Sequence, residues 1–331
     1  FLLLSPAVFF LAGAMQPLRV IFMGTAEIAC PSLAALCANP EIRVVAVVTQ
    51  PDRPKGRDLQ VQPCAVKQFA VSQGLPVWQP DRARQPDFIQ QLAAARPGLI
   101  VVMAYGQILP PAILVLPPFG CLNVHTSLLP KYRGAAPIQW ALARGETETG
   151  VTIMLMDAGM DTGPILTQRT TTIQATDNAP LLHDRLAQMG AALLLETIPG
   201  WIAKTISARP QPAEGVSYAP KIKKEDGQID WHLPARMIWN RLRAFTPWPG
   251  TFTFLPGAAK PLLLKIWEAE VVGESAPPGQ VRAADSSGIV VGCGREALRL
   301  LRVQREGGRR LSAAEFLAGH PLPVGQVLGN V

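Results

Sequence analysis

The chain has 331 residues, of which 48% are hydrophobic and 17% are charged, and its formal net charge is +7. This length is enough for two domains with ordinary cores, and the apolar content excludes an intrinsically disordered chain. Residues 204–331 hold 17 of the 31 basic residues but only 11 of the 24 acidic ones. The basic C-terminal part favours a polyanionic partner such as a nucleic acid, with a solvated surface as the alternative.

The five cysteines form no C-x-x-C pair and have no histidine at a metal-ligand spacing. We therefore expect free thiols in a reducing, cytoplasmic compartment, with neither a disulfide framework nor a bound metal. Residues 1–14 are apolar, but they lack the basic start of a signal peptide and are too short to span a bilayer. We expect no membrane association, and we expect Met15 to be the natural start.

The first hundred residues after this segment alternate between short apolar runs and helical patterns. Strands are predicted at Leu18–Met23, Arg43–Val48, Leu75–Trp78 and Leu99–Met103, with helices at Cys30–Ala38, Ala65–Ser72 and Pro86–Ala95. This alternation predicts a Rossmann-like α/β domain, a parallel sheet with helices on both faces. No G-x-G-x-x-G follows Gly24, so a dinucleotide cofactor is not indicated.

A long loop interrupts this pattern between Gln50 and Pro63, and its centre carries three cations, Arg53, Lys55 and Arg57. A loop of this length inside a compact domain is usually functional or disordered.

The stretch Gly120–Pro137 concentrates the chemistry of the chain. A buried strand begins at Cys121 and turns polar at His125, before Pro130 and Gly134 break regular structure. Because Asn123 and His125 are two apart, an extended strand places both side chains on one face. An amide donor beside an imidazole suits acyl-type transfer, in which an oxyanion needs a donor and a proton must move.

A carboxylate to hold the imidazole is available at Asp161, between two further predicted strands, Val151–Met156 and Ile165–Ile173, which we expect to pair antiparallel. We expect the ends of the strands that carry these residues to bring Asn123, His125 and Asp161 together. A helix from about Asp177 to Lys204 follows, with Asp177 as its predicted N-cap.

Composition changes after this helix, and we predict three regions: a catalytic domain at 16–206, a Pro- and Gly-rich linker at 207–222 and a second domain at 223–331. Short alternating runs in the last region predict a small OB-like β-barrel, with strands at Leu262–Trp267, Gly279–Arg282, Gly288–Gly292 and Leu298–Val303. Arg302 and Arg305 lie along or just after the last strand. We interpret them as a face that contacts a nucleic-acid backbone, with protective charge on edge strands as the alternative.

Several of these motifs together resemble the folate-dependent formyltransferases. The resemblance rests on Asn123–His125, Ser127–Gly134 and Asp157–Gly163. Three further segments, Thr49–Arg57, Ala104–Pro110 and Arg243–Gly250, are similar to the members of the family that act on methionyl-tRNA. The similarity extends from about Leu18 almost to the C-terminus.

The resemblance implies transfer of a formyl group from 10-formyltetrahydrofolate to the α-amine of methionyl-tRNA, without a metal, in translation initiation. It implies that Asn123 donates to the oxyanion and that His125, held cationic by Asp161, delivers a proton toward the leaving folate nitrogen. Whether His125 or Asp161 accepts the amine's proton stays open. The family pattern assigns the folate to one group of residues: Tyr105, Gly106, Ile108, Leu109, Ser127, Leu128, Leu129, Pro130 and Asp157. It assigns the tRNA to Arg53, Lys55 and Arg57, and we add Arg302 and Arg305.

Lys131 and Arg133 are left open between the folate tail, the tRNA phosphates and solvent. Two other functions remain as alternatives: formylation of a small amine, such as glycinamide ribonucleotide or an amino sugar nucleotide, and RNA binding without catalysis. We expect the protein to be a monomer.

Overall fold

The computed structural model describes residues 16–55, 60–256 and 261–329. The predicted start at Met15 therefore lies outside the described residues, as does Arg57. The described residues of the N-terminal part contain nine strands: β1 (Leu18–Gly24), β2 (Ile42–Val48), β3 (Arg53–Lys55), β4 (Gln60–Gln62), β5 (Val77–Trp78), β6 (Leu99–Met103), β7 (Cys121–His125), β8 (Glu148–Leu155) and β9 (Ile165–Thr172).

Seven of these strands form one sheet in the order β5-β2-β1-β6-β7-β8-β9, while β3 and β4 pair separately. The first five strands of that order are parallel, as expected for a Rossmann-like domain. The last two pairings, β7 with β8 and β8 with β9, are antiparallel. The predicted parallel sheet thus continues into an antiparallel edge.

Helices cover both faces of this sheet, as the alternation predicted. They are α1 (Cys30–Ala38), α2 (Ala65–Ser72), α3 (Pro86–Ala94), α4 (Pro111–Leu114), α5 (Pro137–Ala143) and α6 (Ala179–Ile202). The alternating side chains of β1 show the two layers. Val20 and Phe22 join the core beneath α1 and α6, while Ile21 and Met23 join the core beneath α3 and α4.

The predicted N-cap of α6 is wrong by one residue. Asn178 caps the helix, and its side chain accepts a hydrogen bond from the Leu181 N–H at 3.0 Å. Asp177 is 2% exposed and instead receives two hydrogen bonds from the Arg185 guanidinium, at 2.6 and 2.8 Å. An unpaired buried carboxylate costs more free energy than the loss of one helix cap, so Asp177 pairs with Arg185 and leaves the cap to Asn178.

The described residues of the C-terminal part contain two α-helices and six strands: α7 (Ala235–Phe245), β10 (Thr251–Leu255), β11 (Leu262–Val272), β12 (Val281–Asp285), β13 (Gly288–Gly292), β14 (Ala297–Arg305), β15 (Leu311–Ser312) and α8 (Ala313–Gly319). The strands form an antiparallel sheet in the order β10-β11-β14-β13-β12, with β15 on β14. This is consistent with an OB-like barrel, although within the described residues no pairing joins β10 to β12. Sequence patterns missed α7, β10, β15 and α8.

Helix α7 connects the two parts. Phe245 at its end is fully buried in the N-terminal core and meets the Trp140 ring edge-on, with the ring centroids 6.0 Å apart. Arg243 donates hydrogen bonds to the backbone oxygens of Gln174 and Asp177. Ile238 and Leu242, which lie two turns and one turn before Phe245, belong to the barrel core. One amphipathic helix therefore contributes to both cores.

Candidate active site

Asn123 and His125 lie on β7, between β6 and β8 in the sheet. Strand alternation places both side chains on one face, as predicted, while Val124 between them packs into the core on the other face. The two polar residues are only 9% and 6% exposed. Their hydrogen-bond partners are therefore fixed by protein groups rather than by bulk water.

Asp161 reaches this pair by a route that differs from the expected one. Since β8 runs antiparallel to β7, the loop after β8 begins beside Cys121, whose carbonyl accepts from the Met156 N–H at 2.8 Å. This is the opposite end of β7 from His125, so the expectation that strand ends meet was wrong. The β8–β9 loop folds back over the sheet, and Asp161 takes a left-handed backbone conformation with φ of 53°.

The Asp161 carboxylate is the meeting point of the site. Its Oδ1 accepts from Asn123 Nδ2 at 3.2 Å, and its Oδ2 accepts from the Gly134 N–H at 2.8 Å. His125 Nδ1 lies 3.7 Å from Oδ2, which is an ion-pair distance rather than a direct hydrogen bond. The structure thus brings together the three residues that the sequence selected for chemistry.

The second nitrogen of the imidazole defines its tautomer. His125 Nε2 lies 2.9 Å from the backbone oxygen of Tyr132, and a carbonyl can only accept, so Nε2 carries a proton. The remaining nitrogen, Nδ1, faces Asp161. A proton on Nδ1 would make the ring a cation beside a carboxylate, and the loss of that proton would leave an acceptor there. Nδ1 is therefore the atom through which a proton can move.

A cavity of about 560 Å³ opens over this centre. Asn123, His125 and Asp161 line it together with three of the predicted folate residues, Tyr105, Gly106 and Ile108. The volume falls within the range of small-molecule sites. The walls are mostly apolar, which suits a flat heteroaromatic ligand. The polar groups converge on one point, which suits a reactive acyl group on that ligand. Sequence reasoning missed several lining residues, which are Ala26, Ile28, Gln107, Ala135, Met156 and Met160.

The other predicted folate residues do not line this cavity. Leu109 is buried in the core beneath α3, and Leu129 packs against Met154 and Ile165. Ser127 is fully buried and donates to the Lys131 backbone oxygen at 2.6 Å. The remaining residues of this segment, Leu128 and Pro130, are half-buried and also lie outside the cavity lining.

Buried polar side chains hold this segment against the sheet. Thr152 Oγ1 accepts from the Leu129 N–H at 3.1 Å and donates to the Ser127 backbone oxygen at 2.7 Å. Gln168 Nε2 donates to the Leu129 backbone oxygen at 2.9 Å and to Thr152 at 3.0 Å. These contacts fix the position of the chain that follows His125.

Asp157 and Tyr105, two further predicted folate residues, have structural roles of their own. Asp157 is exposed, and its Oδ1 accepts from Gly159 N–H and Thr162 Oγ1 at 3.0 and 2.7 Å, which shapes the loop that carries Asp161. Tyr105 is 1% exposed, and burial raises the pKa of its phenol to about 12. The phenol is therefore neutral at physiological pH, so it is not a proton acceptor.

The predicted tRNA residues are distributed over two distant parts of the sequence. Arg53 is exposed on β3, but the Lys55 side chain and Arg57 lie outside the described part of the chain. Arg302 Nε lies 3.6 Å from Glu268 Oε1, and both side chains are more than half exposed. Arg305 contacts His320. Arg302 is thus accompanied by an acidic residue on the neighbouring strand.

Among the residues that the structure describes, no helix is both long and apolar enough to cross a membrane. Within residues 16–55, 60–256 and 261–329, no group of three or more His, Cys, Asp or Glu side chains is arranged to hold a metal ion.

Solved structures share this fold at low sequence identity. WlaRD, a sugar 3N-formyl transferase, matches 88% of the chain and 98% of its own, with a TM-score of 0.62 and 20% identity. HypX from Aquifex aeolicus, solved with tetrahydrofolic acid, matches 96% of the chain and 51% of its own, with a TM-score of 0.58 and 17% identity. At this identity the likeness concerns the fold alone.

The sequence comparisons are more specific. Residues 18–198 match the formyl transferase family, and residues 221–321 match the formyl transferase C-terminal domain. The methionyl-tRNA formyltransferase of Trichlorobacter lovleyi is 49% identical over 94% of the chain and 96% of its own length. That of Myxococcus xanthus is 48% identical over 93% of the chain and 96% of its own length. The chain therefore belongs to the methionyl-tRNA formyltransferase family of formyl transferases.

Proposed function

We propose that this protein transfers the formyl group of 10-formyltetrahydrofolate to the α-amine of methionyl-tRNA. The observation that carries this proposal is the convergence of Asn123, His125 and Asp161 on the floor of one cavity, in a chain that matches methionyl-tRNA formyltransferases over both domains. The formylated initiator tRNA then serves translation initiation.

The folate occupies the cavity with its formyl carbon above Asn123. Tyr105, Gly106 and Ile108 form one wall, and Met156 and Met160 come from the loop that carries Asp161. The amine attacks the formyl carbon, and negative charge develops on the formyl oxygen. An amide nitrogen carries two protons, and Asn123 uses one of them on Asp161, so the second is free for that oxygen.

Proton movement passes through His125 Nδ1, because Nε2 is engaged with the Tyr132 carbonyl. With a proton on Nδ1, the imidazolium is stabilised by the Asp161 carboxylate and delivers that proton toward the leaving folate nitrogen. The incoming amine also loses a proton, and Asp161 can receive it through a water. His125 and Asp161 thus act on different atoms: His125 on the leaving folate nitrogen, and Asp161 on the incoming amine.

The tRNA binds across both domains in this proposal. The loop that contains Arg53, Lys55 and Arg57 approaches the acceptor end, and the barrel with Arg302 and Arg305 contacts backbone phosphates. Cations that contact phosphates contribute affinity that falls with rising salt. We also propose that the protein works as a monomer in the cytoplasm.

The function is tested by offering the protein 10-formyltetrahydrofolate with three acceptors side by side: methionyl-tRNA, glycinamide ribonucleotide and a dTDP-linked amino sugar. We expect formyl-methionyl-tRNA as the main product, with kcat/KM for the small amines lower by orders of magnitude. Comparable or faster formylation of a small amine would replace the proposed acceptor. Folate-independent binding of tRNA without any formyl transfer would support the non-catalytic alternative instead.

A further inference from the structure

The segment between the two domains does more than connect them. Its residues pair with the active-site chain that follows His125: the Arg133 N–H donates to Ser217 O at 2.9 Å, and the Ala219 N–H donates to Arg133 O at 2.8 Å. Gly134, whose N–H binds Asp161, has a φ of 120°, and a Cβ there would lie 2.7 Å from Ala219 O. The segment is therefore packed directly against the loop that follows β7 and contains Arg133 and Gly134.

Gln211 is the residue of this segment with the most direct connection to the site. Its Nε2 donates to two carbonyls of the β8–β9 loop, Asp161 O at 2.7 Å and Gly163 O at 2.8 Å. Its Oε1 accepts from Arg133 Nε at 3.1 Å and from Arg133 Nη2 at 2.7 Å. Both amide protons and both acceptor positions are thus used, and this pattern fixes the amide orientation.

We infer that Gln211 is a positioning residue for Asp161, and that Arg133 acts by orienting Gln211. The Asp161 backbone holds a left-handed conformation that a residue with a side chain seldom adopts, so its carboxylate points at Asn123 and His125 only while the loop is held. Gln211 supplies that restraint from the outer side of the loop. The inference rests on the proposed function only in that formyl transfer is the readout.

Arg133 gains a role that the sequence left open among folate, tRNA and solvent. Two of its guanidinium nitrogens point at Gln211, and the side chain is half-buried. A planar fork of two donors is suited to orient an amide oxygen, and a flexible ammonium is not. Arg133→Lys should therefore reproduce part of the defect of a Gln211 variant.

The alternative is that Gln211 only fastens the interdomain segment. Gln211→Glu separates the two roles, because a carboxylate keeps an acceptor for Arg133 but cannot donate to the carbonyls of Asp161 and Gly163. A fastening role predicts near-normal activity for Gln211→Glu. A positioning role predicts that kcat falls about tenfold to a hundredfold, because small displacements of a reacting group have effects of that size. We expect KM for folate and for tRNA to change less than threefold.

The decisive experiment is a double-mutant cycle with Asp161→Asn, measured as kcat with methionyl-tRNA and accompanied by thermal unfolding of each variant. If Gln211 acts through Asp161, Gln211→Glu lowers kcat in the wild-type background but has less than a twofold effect in the Asp161→Asn background. Glu214→Ala, an exposed change in the same segment with no ion pair among the described residues, is the matched control and should leave kcat unchanged.

Equal losses from Gln211→Glu in both backgrounds, or a wild-type kcat for Gln211→Glu with an unchanged unfolding midpoint, would overturn the inference. A kcat loss for Gln211→Glu that follows a lowered unfolding midpoint, with no loss for a stably folded Gln211→Ala, would also overturn it. Inactivity of the wild-type protein toward methionyl-tRNA would instead count against the proposed function, so the two failures are distinguishable.

Discussion

At the scale of single residues, Asn123 and His125 have separate tasks. Asn123 keeps one amide proton for the formyl oxygen, and loss of one oxyanion donor typically costs about 2.7–4 kcal/mol. We expect Asn123→Ala to lower kcat by about two to three orders of magnitude and His125→Ala by about two to four, with folate binding retained. Steady-state kinetics and folate titration would measure both. Turnover within threefold of wild type in either variant would remove that residue from the mechanism.

Single residues also show what sequence reasoning can reach. The i, i+2 spacing of Asn123 and His125 on a strand was sufficient to place them together. The sequence also selected Asp161 rather than Asp157 to hold the imidazole, and in the structure Asp161 turns toward Asn123 while Asp157 accepts a hydrogen bond from Thr162 in its own loop. Gln211 lacked any signal, because its role depends on contacts 78 and 50 residues away along the chain.

At the scale of elements, the start of α6 is stabilised by an ion pair whose strength depends on pH. Burial opposes ionisation of Asp177, but the hydrogen bonds from the Arg185 guanidinium and the Gln174 N–H outweigh it and hold the pKa of Asp177 below its ordinary value. A lowered carboxyl pKa stabilises the fold at pH values above the unfolded pKa of about 3.9, and this stabilisation is lost as pH falls through the folded pKa.

We therefore expect Asp177→Asn to reduce the free energy of unfolding by about 1.5–3 kcal/mol near pH 7, as is typical of hydrogen bonds to charged groups. The difference from wild type should persist down to about pH 5 and shrink as pH falls below about 4. Urea unfolding at a series of pH values measures this. Asp184→Asn, which changes an exposed carboxylate in the next turn, serves as the control. A constant difference down to pH 2 would contradict the account.

Elements were predicted more reliably than the way they pair. Apolar runs identified β1, β2, β6 and β7 nearly residue by residue, because buried strands of a parallel sheet are continuously hydrophobic. The antiparallel direction of β8 relative to β7 depends on the chain between them, and no local pattern specifies it. Helix α7 was missed although Ala235, Ile238, Leu242 and Phe245 follow a helical spacing, and the structure divides these residues between two cores.

At the scale of the whole molecule, the boundary between the domains is a testable proposal. We propose a catalytic domain at 16–206, a connecting segment at 207–222 and a barrel domain at 223–331. The first core nevertheless includes four residues beyond 206, which are Ala219, Ile222, Ala244 and Phe245. A fragment of residues 16–206 should fold but unfold at a lower temperature than the full chain, since burial of a Phe side chain alone contributes about 1.5–3 kcal/mol.

Circular dichroism with thermal unfolding of the fragment would test this boundary. An insoluble or unfolded fragment would move the boundary to the end of α7. An unfolding midpoint equal to that of the full chain would show that the four additional residues contribute nothing to the first core.

The distribution of charge suggests two different kinds of tRNA contact. Charge reversal at Arg302 and Arg305 should raise KM for tRNA several-fold at low salt and less at high salt, because phosphate contacts release counterions. Arg57→Ala should lower kcat as well, because its loop approaches the reacting amine in the proposed complex. Reversal of Arg82 and Arg84, two exposed cations of the catalytic domain, controls for net charge.

Kinetics at two salt concentrations distinguish these contacts. A KM for tRNA that is unchanged at both concentrations in the Arg302 and Arg305 variant would assign that face to solvent. For Arg302 a solvent-facing role is a real alternative, because Glu268 pairs with it across the strands. The position of Glu268 opposite Arg302 was not predictable before the β11–β14 register was known.

The central claim is that formyl transfer to methionyl-tRNA occurs where Asp161 joins Asn123 and His125. The most direct test is the single-turnover rate of formyl transfer by Asp161→Asn, with the protein in excess over methionyl-tRNA and with saturating 10-formyltetrahydrofolate. We expect the rate constant to fall at least a hundredfold, with folate and tRNA affinities within threefold of wild type, because the substitution removes the charge that stabilises the imidazolium. A rate constant within threefold of wild type would contradict the account.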